Sequence, residues 1–213
     1  MRKILSSLLM SLVMAGAGFA ADGKQLFNGQ SLSGWEHVGP GRFTVEPDGT
    51  LKTNGGMGLL WYANEKVGNS VLRIVYKVTH PESNSGVFIR IADKPKDEWY
   101  AVHNGYEVQI LDQGPDDWHQ TGAIYSLSKA SKNAARPVGQ WNTLDIRLEG
   151  QRTVVSLNGE VINEFRGGQA VPERQHWYEP ERGPRPDAGY IGLQNHDEKS
   201  TVYFKEISVH PLK

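Results

Sequence analysis

The chain contains no cysteine. That absence excludes disulfide staples, thiolate metal sites and a cysteine nucleophile, so stability has to come from apolar burial and paired strands. A charge excess is missing too: 23 Lys and Arg stand against 24 Asp and Glu, a formal net charge of −1. Neither that balance nor any basic run steers the chain to nucleic acid or to an anionic membrane. There is no Gly-x-Ser-x-Gly elbow, phosphate-binding glycine loop, His-Glu-x-x-His zinc site or EF-hand spacing. Helical periodicity is absent beyond residue 20.

What is present begins with an export signal. Arg2 and Lys3 form a basic start, the stretch from Ile4 to Met14 is apolar apart from serines, and small residues follow to Ala20. This reads as a secretory signal peptide, residues 1–20, cut after Ala20, with 21–213 as a single domain. Its apolar run is too short to span a bilayer and has no stop-transfer flank. The expectation is a periplasmic or secreted protein with no membrane association after cleavage.

Beyond that segment, period-two alternation dominates. Val71–Val78, Gly86–Ile91, Tyr106–Leu111, Thr143–Glu149, Thr153–Leu157, Val161–Phe165, Gly189–Gln194 and Thr201–Val209 read as strands, with shorter ones at 43–45, 50–52 and 122–125. Pro47-Asp48-Gly49 is a turn, and Asn158-Gly159 between alternating runs is a strong hairpin signal. Ten to twelve short strands without intervening helices predict an all-β sandwich or jelly roll. Two connections, 113–120 and 167–186, are long enough to suggest functional loops.

Alternation also sorts the polar residues. Tyr106, Val108 and Ile110 share one face of their strand, leaving Glu107, Gln109 and Leu111 on the other. Ile191 and Leu193 face inward, so Gln194 and His196 point the opposite way. By the same count Val87 and Ile89 are core, and Phe88 and Arg90 face outward. If these strands are neighbours, Glu107, Gln109, Gln194, His196 and Arg90 line one polar groove, suited to sugar hydroxyls. Trp99, Trp118 and Trp177 are candidate stacking platforms, with core packing as the alternative use. The alternative for the polar set is an ordinary solvated sheet face; for Glu107 it is a buried carboxylate bonded to Tyr125 or Arg90.

The runs Asn84–Arg90, Gly105–Asp112, Thr121–Tyr125 and Gly192–His196 resemble the 3-keto-disaccharide hydrolase family. Leu26-Phe27-Asn28-Gly29, Leu32-Ser33-Gly34-Trp35, Gly139–Asn142 and Leu157-Asn158-Gly159 follow the same order of landmarks. The resemblance implies a two-sheet antiparallel jelly-roll sandwich, concanavalin A-like, that cleaves glycosides already oxidised at carbon 3. It also implies partnership with a sugar 3-dehydrogenase that makes the keto substrate.

Two mechanisms follow from that chemistry. A 3-keto group acidifies the hydrogen on carbon 2, so a base can start β-elimination of the carbon-1 substituent, with water adding back. Glu107 or His196 is then the base, with Arg90 or a bound divalent cation polarising the ketone. Gln109, Tyr125, Gln194, Trp118 and Trp177 bind substrate, and Asp112 and His119 are the candidate ligands if a cation takes part. Direct hydrolysis instead needs two close carboxylates. Glu107 and Asp112, five residues apart on one strand, are separated by about 16 Å and fail as that pair. The competing class is a non-catalytic, lectin-like carbohydrate-binding module using the same groove without a base.

Overall fold

The computed structural model describes residues 23–213, so the signal-peptide expectation lies outside the described residues. Among the described residues thirteen strands run in chain order as β1 (Lys24–Gln25), β2 (Trp35–Val38), β3 (Arg42–Val45), β4 (Leu51–Asn54), β5 (Gly58–Tyr62), β6 (Ser70–Val78) and β7 (Ser85–Ile91). They continue as β8 (Tyr106–Ile110), β9 (Asn142–Glu149), β10 (Arg152–Leu157), β11 (Glu160–Arg166), β12 (Tyr190–Asn195) and β13 (Val202–Pro211). One short helix, α1 (Tyr100–Asn104), precedes β8.

They form two antiparallel sheets. The larger is ordered β11-β10-β9-β6-β13-β4-β3, with β1 on β13, and the smaller β2-β5-β12-β7-β8. This is the expected all-β sandwich. The core between the sheets holds Leu72, Ile74, Leu144, Ile146, Phe204 and Ile207 from one side and Val87, Ile89, Val108, Ile110, Ile191 and Leu193 from the other. Each such side chain contributes roughly 1.5–3 kcal/mol on burial, a driving force that needs no covalent staple. Asn158 (φ 53°) and Gly159 (φ 87°) make the predicted tight turn of the β10–β11 hairpin.

Strands β2 and β5 are elements that alternation does not reveal. All five residues of β5 are buried, because the smaller sheet is covered on both faces over part of its area. On its outer face Leu59, Trp61, Phe88 and Ile91 form a second apolar cluster with Ala101 and Val102 of α1. That cap of helix and aromatic residues leaves the rest of the outer face open, and the candidate site lies there.

Arg90 departs from its expected position. Tyr190 pairs with Ile91 and Gly192 with Phe88, so two residues of β7 oppose one of β12. This β-bulge, with Arg90 at φ 56°, turns its side chain away from the outer face. Arg90 is 1 % exposed. Its guanidinium donates to the carbonyls of Pro186 (3.2 Å), Asp187 (3.0 Å), Gly150 (2.6 Å) and Arg152 (3.3 Å). Gly189 packs so closely on this bulge that a Cβ there would lie 2.4 Å from the Arg90 carbonyl carbon. Arg90 is therefore a clamp joining the 167–188 connection to the end of the larger sheet, not a groove residue.

A candidate acid–base pocket on the five-stranded sheet

A cavity of about 490 Å³ opens on the outer face of the smaller sheet. Its lining brings together Glu107, Gln109, Gln194 and His196, as the strand faces predicted, with Tyr125 and His119. Met57, Asn84, Trp99, Val102, Leu111 and Tyr178 complete the wall. The size is ordinary for a small-molecule site, and apolar surface with a few convergent polar groups is the usual pattern.

Glu107 is seated over a glycine. Gly86 on β7 pairs with Gln109 of β8, while Phe88 pairs with Glu107. A Cβ on Gly86 would meet Glu107 Oε1 at 2.3 Å and Cδ at 2.8 Å, so the carboxyl group occupies the space a side chain would fill. Glu107 is 6 % exposed. Burial pushes its pKa up to about 8, against the smaller downward pull of a hydrogen bond from the Gln194 amide. At neutral pH the group is a largely neutral acid, able to donate rather than to attack. Its partner is thus Gln194, not Tyr125 or Arg90. Gln194 lines the cavity but is itself buried, and its Oε1 has no partner.

Neighbouring contacts fix the other groups. Gln109 Nε2 donates to Asn84 Oδ1 at 2.7 Å, and Ser85 Oγ to the Gln194 carbonyl at 2.7 Å. The 121–125 segment runs along β8, with Tyr125 N–H donating to the Glu107 carbonyl at 2.9 Å. Burial, and next the charge of Glu107, raise the Tyr125 pKa, so its phenol stays protonated.

Both pocket histidines are backed by carboxylates. His196 Nδ1 lies 2.7 Å from Asp197 Oδ2, and His119 Nδ1 lies 2.6 Å from Asp116 Oδ1. Partial burial alone would raise both aspartates, but hydrogen bonds led by their histidines pull each below its ordinary value. An ionised carboxylate on Nδ1–H fixes the tautomer and leaves Nε2 as the working nitrogen. The His119 ring also packs edge-on to Tyr125 at 5.3 Å.

Other predicted residues lie outside the lining. Asp112 accepts a hydrogen bond from Thr121 Oγ1 at 2.8 Å and does not line the cavity. No cluster of three or more His, Asp or Glu suited to a metal ion occurs among the described residues. Trp118 is also outside the lining, its ring under the Lys129 ammonium at 5.1 Å. Trp177 is 64 % exposed and packs on the lining residue Trp99, centroids 4.8 Å apart, which places it on the rim. Tyr178 comes from the 167–188 connection. Arg182 bonds Glu179 and Ser126 to hold that segment, and Arg185 stacks on Tyr106 while bonding the His103 carbonyl. Its long, proline-rich sequence signals a packed loop, but not which strand it covers.

A two-sheet jelly roll with a polar pocket on one outer sheet face is the architecture of lectin- and glucanase-type sandwiches. A Bacillus subtilis protein with a galectin-like fold superposes with a TM-score of 0.64 at 11 % identity, covering 91 % of this chain and 96 % of that one. A provisionally named glycosyl hydrolase from Parabacteroides distasonis gives a TM-score of 0.73 at 22 % identity, covering 90 % and 94 %. Residues 22–210 match the 3-keto-alpha-glucoside-1,2-lyase-like domain, and the chain belongs to that family. A 3-keto-disaccharide hydrolase of Bacteroides thetaiotaomicron is 28 % identical over 88 % of this chain and 77 % of its own length.

Proposed function

We propose that the chain is an exported enzyme that cleaves 3-keto-glycosides by elimination across carbons 1 and 2 followed by hydration, a net hydrolysis. Glu107 carries the reading. A carboxyl group held neutral by burial can hydrogen-bond the 3-keto oxygen and stabilise the enolate that forms when the carbon-2 proton leaves. Since a neutral acid is a poor base, that role falls to His196, oriented by Asp197. Gln109, Gln194, Asn84 and Tyr125 hold the hydroxyls, and Trp99 and Tyr178 supply the apolar wall. Membership of the lyase-like family and the name of the Bacteroides relative support the substrate class. A sugar 3-dehydrogenase in the same compartment, the periplasm or the exterior, would supply the ketone.

A lectin-like module would bind sugars through the same face but has no use for a buried neutral acid beside two carboxylate-backed imidazoles. Incubation with 3-keto-trehalose and with 3-keto-sucrose, followed by product analysis, is the test. Turnover that falls in both Glu107→Gln and His196→Asn supports the reading. Folded protein that binds either sugar without cleaving it would favour the module instead.

A further inference from the structure

Elimination and hydration each move two protons, and His196 can account for one of them. In an α-glucoside the carbon-2 hydrogen and the carbon-1 oxygen are axial on opposite faces of the ring. A base that takes the hydrogen from one face cannot also protonate the oxygen leaving from the other. The second task needs another acid–base group, placed across the pocket.

His119 meets that requirement. It lines the same cavity, and its Nδ1 is occupied by Asp116 at 2.6 Å, as His196 is by Asp197 at 2.7 Å. His196 follows β12, and His119 belongs to the connection after β8, with β7 between those strands. The two imidazoles thus enter the pocket from connections flanking β7, whose two neighbouring strands stand about 10 Å apart. Resting on the reading of the pocket given above, we propose that His119 is a second catalytic residue, which protonates the departing glycosidic oxygen and then activates the water.

The protons balance. His196 Nε2 takes the carbon-2 proton, and that electron pair forms the enolate with the 3-keto group. As the carbon-1 to oxygen bond breaks, its electron pair goes to the leaving oxygen, which takes a proton from His119. The released enone is then attacked at carbon 1 by water, which gives a proton to His119, while His196 returns its proton to carbon 2. Both imidazoles finish in their starting states, and the sum is glycoside plus water giving a free 3-keto sugar and an alcohol. Asp116 is a positioning residue that keeps His119 in the working tautomer.

The test separates leaving groups. With 3-keto-trehalose, whose leaving group needs a proton, His119→Asn should lower kcat by about 10²–10⁴-fold. With 4-nitrophenyl 3-keto-α-glucoside, whose phenolate leaves unaided, nitrophenolate release should fall by less than tenfold. Exchange of the carbon-2 hydrogen in D2O should persist in His119→Asn and vanish in His196→Asn. Asp116→Asn should show the His119→Asn pattern more weakly. An equal loss on both substrates in His119→Asn and Asp116→Asn would overturn the assignment, as would loss of carbon-2 exchange in His119→Asn. Wild-type protein that cleaves neither substrate would instead sink the underlying reading of the pocket, and this proposal with it.

Discussion

Glu107 reaches over the backbone of Gly86, and its carboxyl group fills the place of the missing side chain: a Cβ on Gly86 would stand 2.3 Å from Oε1. The neutral acid and the glycine are one device. Gly86→Ala should therefore destabilise the fold by about 1–3 kcal/mol, the usual cost of overpacking. Because Glu107 must then leave its seat, kcat should fall further than that destabilisation explains. Thermal melts and steady-state kinetics on the same preparation check both parts.

Glu107 also predicts how stability changes with pH. Its pKa is about 8 in the folded chain and ordinarily 4.5, so the native state holds the extra proton between those values. Stability from this group is complete below about pH 4.5 and is lost as pH rises through 8. Melting temperature should decline over that window in the wild type and decline less in Glu107→Gln, in melts at matched ionic strength.

Activity should follow the same group. The wild-type rate should fall above about pH 8 as Glu107 ionises. Glu107→Gln should be slower by roughly 10²-fold at neutral pH, in line with removal of a single oxyanion donor, and should lose that alkaline limb. A pH profile of kcat for the two proteins reads this directly; an unchanged limb in the variant would assign it to another group.

Arg90 makes a contrasting prediction. Four backbone carbonyls depend on its guanidinium, so Arg90→Ala should cost about 3–5 kcal/mol, much of it from acceptors left buried and unpaired. Arg90→Lys should also melt lower, since an ammonium cannot fork to four acceptors. Below its melting temperature, KM for a 3-keto-disaccharide should stay within about threefold of wild type at an energetic cost under 1 kcal/mol. A tenfold rise in KM would return Arg90 to the substrate.

Trp177 tests the rim. It is exposed and rests on Trp99, so Trp177→Ala should raise KM for disaccharides by roughly fivefold, about 1 kcal/mol of lost stacking, with kcat little changed. The same substitution should matter less for a 3-keto sugar with a methyl leaving group.

Much of this pocket was legible in the sequence because β8 and β12 are regular where they carry Glu107, Gln109 and Gln194, and period-two counting needs only one strand. It failed at Arg90 because a bulge is a relation between two strands: β7 has one residue too many only relative to β12. Strand β5 was hidden for another reason. Leu59-Leu60-Trp61-Tyr62 is covered on both faces, so it has no alternation to read. The five residues of α1 are too few to show a helical period. The wall residue Tyr178 follows from tertiary contacts alone, whereas His119, read as a candidate cation ligand, pairs locally with Asp116 three residues away.

The Arg90 clamp grips main chain, not side chains. Its acceptors are the carbonyls of residues 150, 152, 186 and 187, which every amino acid possesses. The end of the long connection at residues 186 and 187 is thus anchored through backbone alone, while Arg182 and Arg185 tie down its middle. Relatives could exchange His176, Trp177 and Tyr178 for other side chains and diversify their choice of leaving group without renegotiating the scaffold. The same separation makes those three positions the natural sites for a combinatorial library aimed at new glycosides.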